Sequence, residues 1–372
     1  MANSIPTHYH ANAGLAAILV LQNKTKSLAV YNVVLSLTVT LSGIWAVLAT
    51  HSYFAPVIVR VFVPILFIPV ALFLMLSGNP GSTRWPCRAS MLSMARYSLP
   101  LGAATILGQL TLQFHGIIVS SICTPDEFAV YINGATQVPI VGIVTGSIAT
   151  VILAEMSSFC AKGDKTAALE LFRKASIKSA CILFPVTCFL FVTATQFITL
   201  LYSEKYEASV TPFRIYLLIL PIRIVVYGSA LMALGLTRAI LIRSIFDLLI
   251  NALLCWILVR TIGYIGAPIA LALTLYLWTT PYNILTISKG FGVQWKKALP
   301  IKDLLAIFTL SVAALPLAIL GVYAFHTTAI VRFCLAAALY WPLVLFFSYR
   351  FKMISVPKLI ENYIPEFFRL KS

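Results

Sequence analysis

Long apolar stretches alternate with short polar segments along almost the whole chain. Each stretch holds roughly 20 residues, about the length that a helix needs to cross the hydrocarbon core of a bilayer. The pattern predicts an all-α, polytopic integral membrane protein with about ten transmembrane helices. The predicted spans cover residues 29–50, 54–77, 97–121, 128–152, 179–201, 212–235, 241–260, 263–288, 303–325 and 328–349.

The basic residues are distributed unevenly between the two sets of loops. Of the 27 Lys and Arg residues, 20 fall in loops on the N-terminal side of the predicted membrane, two on the opposite side and five within spans. The positive-inside rule then predicts that both termini lie in the cytoplasm. The membrane is expected to be the cytoplasmic (inner) membrane. The net charge of +16 therefore reflects membrane topology and does not indicate binding of nucleic acid. It implies contact between the basic loops and anionic membrane lipids.

Soluble-enzyme and metal motifs are missing from the sequence. It contains no GxxxxGK[ST] phosphate loop, no HExxH motif and no CxxC pair among its 7 cysteines. We therefore expect no enzyme, no cofactor and no metal site. An intramembrane transferase is the enzyme alternative, but it would need acid and base residues or a large polar loop at the membrane surface.

Arginines within the spans are the first candidates for chemistry. A charged side chain at a helix centre costs roughly 2.5–3.5 kcal/mol, so such groups usually face a bundle interior or a water-filled cavity. Arg223 follows Pro221 near the middle of the sixth span, where its guanidinium could hold phosphate oxygens. The alternative is a structural pair with Asp247 on the next helix. Less centrally placed arginines either snorkel or line an outer vestibule: Arg60, Arg214 and Arg332.

Two further polar residues are candidates for ion coupling. Asp247 is the carboxylate deep in the predicted membrane, and Arg243, four residues earlier, could pair with it on one helix face. His115 lies well inside the third span and could carry protons near neutral pH. A neutral histidine that forms a hydrogen bond between helices is the simpler interpretation of His115.

Local patterns add expectations about packing. Prolines within several spans predict bent helices, and Gly142-x-x-x-Gly146 predicts close helix packing. Apolar residues at helical spacing in Asp164–Ala180 and Pro357–Leu370 predict two amphipathic helices on the inner leaflet.

Four groups of residues between 95 and 275 carry a resemblance to a known family. They are Arg96–Pro100, then Thr124–Tyr131 with Asn133–Pro139, then Leu201–Ala208 with Phe213–Tyr216, Leu220–Arg223 and Ala233–Arg238, and finally Gly263–Ala270. In this order and spacing the chain resembles polysaccharide flippases, particularly O-antigen flippases, of the multidrug/oligosaccharidyl-lipid/polysaccharide exporter superfamily.

The resemblance implies two helical bundles around a central cavity that opens alternately to either face. It also implies a polyprenyl-diphosphate-linked oligosaccharide as substrate, with cavity arginines meeting the diphosphate. This chain departs from the family at His115, near whose position the family often has an acidic residue. The first two spans correspond to the fifth and sixth of the family, so the N-terminal lobe is expected to be incomplete.

The expected organisation follows from this correspondence. It is a partial bundle (1–94), a six-helix bundle (95–290), two additional spans (291–352) and a cytoplasmic amphipathic tail (353–372). The first functional hypothesis is a flippase for polysaccharide or O-antigen (lipopolysaccharide) biosynthesis, with a second copy or a glycan polymerase as possible partners. The alternatives are a multidrug exporter of the same superfamily and a truncated, non-transporting component of a glycan-assembly complex.

Overall fold

The computed structural model of the protein describes residues 19, 25–52, 54–76, 87–136, 138–323 and 328–350. Contacts divide the chain into two compact units, Met1–Cys87 and Arg88–Ser372. We describe each unit by itself. The boundaries predicted at residues 94, 290 and 352 stay predictions.

The first unit is a hairpin of helices whose second arm is broken. Helix α1 (Thr25–Thr50) packs against α2 (Ala55–Leu66), and α3 (Ile68–Leu76) follows after a break at Phe67. The break lies three residues after Pro64, within a single predicted span. The Tyr31 hydroxyl of α1 faces the Phe67 carbonyl at 3.5 Å, so a side chain from the neighbouring helix meets the backbone where the helix is interrupted.

The second unit is helical throughout its described residues. It begins with the long helix α4 (Arg88–Ile122) and includes a π-helical turn, which we call the π turn (Leu275–Thr279), and two 3-10 turns (Glu204–Ser209 and Gly263–Ile265). The remaining helices are α5 (Pro125–Gly134), α6 (Pro139–Ala161), α7 (Lys165–Val192), α8 (Ala194–Tyr202), α9 (Val210–Leu217), α10 (Leu220–Arg223), α11 (Tyr227–Ala233), α12 (Thr237–Ile262), α13 (Gly266–Thr274), α14 (Thr280–Phe291), α15 (Trp295–Ala298), α16 (Ile301–Ala313), α17 (Leu315–Tyr323) and α18 (Ala329–Arg350).

The structure confirms the all-α, multi-pass prediction. Nine stretches of the described residues are long and apolar enough to cross a membrane. One of them, Thr237–Phe291, is 55 residues long and contains the seventh and eighth predicted spans, which the 3-10 turn Gly263–Ile265 separates. The predicted tail 353–372 and its helix Pro357–Leu370 lie outside the described residues.

Helix α7 forms the centre of the second unit. Of its most apolar stretch, 72% is buried inside the protein, against 11% for α6. It begins at Asp164, whose carboxylate accepts a hydrogen bond from the Ala167 amide at 2.9 Å, and continues without interruption to Val192. Neighbours α6, α10 and α16 cover it.

The prediction that Asp164–Ala180 is a helix on the surface of the inner leaflet is therefore wrong. Its apolar face carries Ala168, Phe172 and Ala175, which are 0%, 1% and 4% exposed. These side chains pack into the protein core instead of lying on the inner leaflet. The amphipathic spacing identified the buried face of the helix correctly. The same spacing is found whether that face packs against lipid or against protein, so it does not predict which of the two covers it.

Glycine positions show which helices approach closely. The predicted packing at Gly142 and Gly146 is wrong, since an added Cβ at either position would meet no described atom within 4 Å. At Gly321 of α17, by contrast, a Cβ would lie 2.5 Å from the backbone N and Cα of Ala336 in α18. The contact between α17 and α18 therefore depends on the missing side chain at Gly321.

We expect Gly321→Ala to destabilise the second unit by about 1–3 kcal/mol, because the new methyl group overlaps a backbone that cannot move aside locally. Thermal unfolding of the purified protein in detergent would measure the change. Gly142→Ala is the matched control, since its methyl group enters open space. Equal unfolding temperatures for the two variants would contradict this account of the helix contact.

Candidate anion site at a helix break

The sixth predicted span is interrupted twice in its middle. Helix α9 ends at Leu217 and α10 begins at Leu220, next to Pro221, which has no backbone N–H. The Ile222 amide donates to the Ile219 carbonyl at 3.1 Å, in the manner of a 3-10 turn. In a continuous helix this amide would donate to Leu218, so the break leaves the Leu218 carbonyl without its helical donor.

The second interruption follows Arg223 directly. Val226 has φ −83° and ψ 63°, and the Tyr227 amide donates to the Val225 carbonyl at 2.9 Å. These values describe an inverse γ-turn. The short helix α10 is thus separated from both neighbours, and Arg223 is its last residue.

Arg223 is exposed in a short segment that packs against the core. Its neighbours Leu220 and Ile224 are 8% and 1% exposed and belong to the core that surrounds α7. The Arg223 side chain itself is not part of that core. Among the described residues no carboxylate pairs with it. Its N–H donors are therefore available to a ligand.

Asp247 pairs with Arg243, so the pair between Arg223 and Asp247 considered from the sequence is not formed. Arg243 Nε lies 3.2 Å from Asp247 Oδ2, both side chains being about four-fifths buried. The Thr279 hydroxyl donates to Asp247 Oδ1 at 2.7 Å, and Arg243 Nη1 donates to Asn283 Oδ1 at 3.4 Å. The carboxylate is thus held by two neighbouring spans.

Aromatic rings cover one side of this ion pair. Trp278 lies beside the Asp247 carboxylate. Its ring centroid is 5.2 Å from that of Phe246 and 5.4 Å from that of Tyr282. Because both charged side chains are largely buried, the attraction between Arg243 and Asp247 is stronger than at an exposed surface.

The π turn connects the helix break with the ion pair. From this turn, the Tyr276 hydroxyl donates to the Leu218 carbonyl at 2.6 Å, and Thr279 contacts Asp247. Tyr276 therefore satisfies the carbonyl that the break freed. No sequence pattern distinguished Tyr276 or Thr279 in advance, since a π turn has no composition signal and neither residue is charged.

His115 is buried in a hydrogen-bonded chain across three helices. It is 1% exposed, and its Nε2 contacts Asn251 Oδ1, which makes Nε2 the donor and places the proton there. Asn251 Nδ2 donates in turn to Thr274 Oγ1 at 3.3 Å. The chain joins α4, α12 and α13, as expected for a neutral histidine that holds helices together.

The other three predicted arginines have different surroundings. Arg214 Nε donates to the Phe191 carbonyl at 3.2 Å, near the C-terminal end of α7, and the Arg214 guanidinium lies 5.7 Å from the Phe191 ring centroid. Arg60 is exposed on α2 of the first unit. Arg332 is partly exposed in the first turn of α18. Arg214 thus caps a helix end.

Metal binding has no support in the part of the chain that the structure describes. There, no group of three or more His, Cys, Asp and Glu side chains could hold a metal ion.

A many-helix bundle with a discontinuous span is an arrangement that membrane carriers share. The family model described as "Polysaccharide biosynthesis protein" matches residues 15–211, more than half of the chain. The chain therefore belongs to the polysaccharide biosynthesis protein family. No curated protein is significantly similar to it.

The fold is similar to that of a solved flippase structure. The structure titled "Lipid II flippase MurJ, inward closed conformation" matches with a TM-score of 0.66 and 16% sequence identity, and the match covers 93% of this chain and 72% of that chain. At this identity the similarity concerns the fold. Together with the family match, it confirms the resemblance to polysaccharide flippases that the sequence motifs indicated.

We expect Asp247→Ala to lower stability by about 2–3 kcal/mol, because it leaves the Arg243 charge inside the membrane without a partner. The double variant Arg243→Ala/Asp247→Ala should recover part of that loss, since it removes both charges. Thermal unfolding of the wild type and of both variants in detergent would test this. If the double variant is less stable than Asp247→Ala, the loss of stability in Asp247→Ala does not come from an unpaired Arg243 charge.

Proposed function

We propose that this protein is a flippase that moves a polyprenyl-diphosphate-linked oligosaccharide outward across the cytoplasmic membrane for polysaccharide biosynthesis. The observation that carries the proposal is Arg223, an exposed arginine at a break in a membrane-spanning segment, to which the described residues offer no carboxylate partner. The polysaccharide biosynthesis family and the MurJ-like fold support the same class of substrate.

Charge and geometry explain why Arg223 suits a diphosphate. A guanidinium presents its N–H groups in a planar fork that matches two phosphate oxygens at once. It stays charged in an environment of low polarity, where attraction to an anion is strong. The apolar carrier chain would remain in the bilayer while the head group passes Arg223.

Alternating access provides the movement in this proposal. The two interruptions at Leu218–Ile219 and Ile224–Val226 allow α10 to change direction relative to α9 and α11. Discontinuous helices commonly form the substrate sites of carriers whose halves move around a fixed site. An O-antigen or other lipopolysaccharide unit is the substrate that the sequence motifs favour.

Other charged residues have supporting roles in the proposal. Asp247 and His115 remain the candidates for ion coupling, and Arg60, Arg214 and Arg332 remain candidates for a vestibule. The contact of Arg214 with the Phe191 carbonyl favours a structural role for that residue. A second copy of the chain or a glycan polymerase would be the protein partner.

We expect Arg223→Ala to reduce transport at least tenfold and Arg223→Lys to retain part of it, because lysine keeps the charge but loses the planar fork. Transport would be measured with the full-length chain in liposomes, as movement of a fluorescent polyprenyl-diphosphate-linked sugar between leaflets. Export of surface glycan by cells that carry the same variants would provide a second measurement.

Arg260→Ala is the matched control for Arg223. Arg260 is exposed at the end of α12, and its guanidinium lies 4.3 Å from the Trp256 ring centroid. Its loss should leave transport unchanged. Unchanged transport in Arg223→Ala would remove this arginine from the proposal. Drug efflux without glycan export would favour a multidrug exporter, and loss of a glycan-assembly complex only on deletion would favour a non-transporting component.

If Asp247 couples transport to protons, Asp247→Asn should make the transport rate independent of an imposed pH gradient. The amide keeps the shape of the side chain but cannot bind or release a proton. The measurement is the ratio of transport rates with and without the gradient, which is insensitive to partial loss of folded protein. An unchanged ratio in this variant, with a changed ratio in His115→Gln, would assign coupling to His115 instead.

A further inference from the structure

We infer that Tyr276 is the positioning residue for Arg223, acting through the backbone of the broken sixth span. The inference rests on the proposed function, because it treats Arg223 as the anion contact. Tyr276 itself touches no ligand in this account. Its hydroxyl fixes the peptide at Leu218, and that peptide in turn sets the direction of α10 and of the Arg223 side chain.

The hydrogen bonds of the backbone at the break explain why the Tyr276 hydroxyl has this influence. The Leu218 carbonyl would accept from Ile222 in a continuous helix, but that amide donates to Ile219 instead. An unsatisfied carbonyl inside a bilayer is costly, so the break persists only if another group donates to Leu218. The Tyr276 hydroxyl does so at 2.6 Å.

Side-chain packing does not replace this contact. Leu218 is 46% exposed, so its own side chain does not anchor the break. Leu220 and Ile224 hold the buried face of α10 against the core, but such apolar contacts do not fix the rotation of a helix of one turn. The directional hydrogen bond at Leu218 supplies the orientation that apolar contacts lack.

The π turn explains how Tyr276 reaches the break while Thr279 reaches Asp247. A π turn inserts extra backbone into a helix and changes the directions of the following side chains. The Thr279 hydroxyl lies 3.3 Å from the Thr274 carbonyl, five residues earlier, and 2.7 Å from Asp247 Oδ1. The ion pair thus secures one end of the turn and the broken span the other.

The first experiment compares hydrogen–deuterium exchange of residues 218–227 in the wild type and in Tyr276→Phe, both as full-length protein in nanodiscs. Phenylalanine keeps the ring and removes the donor. We expect exchange in this segment to become about tenfold faster, in keeping with the loss of one hydrogen bond.

Tyr282→Phe is the matched control. The Tyr282 hydroxyl also donates to a backbone carbonyl, that of Ala239 at 3.2 Å, but this carbonyl lies at the start of α12. Its removal should leave exchange in 218–227 unchanged. Equal exchange in Tyr276→Phe and in the wild type would overturn the inference, whatever the transport results.

The second experiment measures binding of farnesyl diphosphate to the same proteins. Tyr276→Phe should bind it about tenfold more weakly than the wild type. In an Arg223→Ala background, Tyr276→Phe should have no further effect, because a positioning residue acts only through the group that it positions. A purely structural role for Tyr276 would give independent, additive losses.

The outcomes separate this inference from the proposed function. If the wild type fails to bind the diphosphate, the anion site is refuted, and the exchange result still shows whether Tyr276 holds the break. If the wild type binds and Tyr276→Phe binds equally well, Tyr276 does not position Arg223. Additive losses in the double variant would likewise overturn the inference.

Discussion

A bilayer offers no water to a free backbone carbonyl, and this constraint accounts for the arrangement of the structure around its helix breaks. At two interruptions of predicted spans, a tyrosine hydroxyl from a neighbouring helix meets the interrupted backbone. Tyr276 meets Leu218 in the sixth span, and Tyr31 faces Phe67 in the second. Tyrosine suits this task because it combines an apolar ring with a hydroxyl that donates. The broken spans are therefore stable features of the fold.

The same constraint sorts the charged side chains. Asp247 pairs with Arg243 and accepts a hydrogen bond from a threonine hydroxyl, and Arg214 donates to the carbonyl of Phe191 at a helix end. Both groups thus have partners within the protein. Arg223 is different, because the described residues supply it with no carboxylate. An arginine without a counter-charge within a span raises the free energy of the folded protein in the membrane. Binding of the proposed anionic substrate would explain why the chain has such a residue.

Hydropathy alone predicted the spans, because a bilayer requires a minimum apolar length that is visible in any window of sequence. It also identified Arg223, since a charge in an apolar run is conspicuous. Prolines were less informative. Pro100 and Pro185 lie inside continuous helices, whereas Pro221 lies at a break. The difference depends on which groups surround the freed carbonyl, and that is a property of the packed structure.

Tyr276 illustrates the limit of sequence reasoning most clearly. Its partner is a backbone atom 58 residues away, and backbone atoms carry no sequence signal. The site residues that a sequence pattern can reveal are those that break a rule, such as a charge among apolar residues. Residues that restore a rule, by satisfying a carbonyl or neutralising a charge, look ordinary in the sequence. In a site built from both kinds, the sequence therefore reveals only the residues that break a rule. The positioning residues are found in the folded structure, by identifying the partner of each backbone group that a helix break leaves without its helical hydrogen bond.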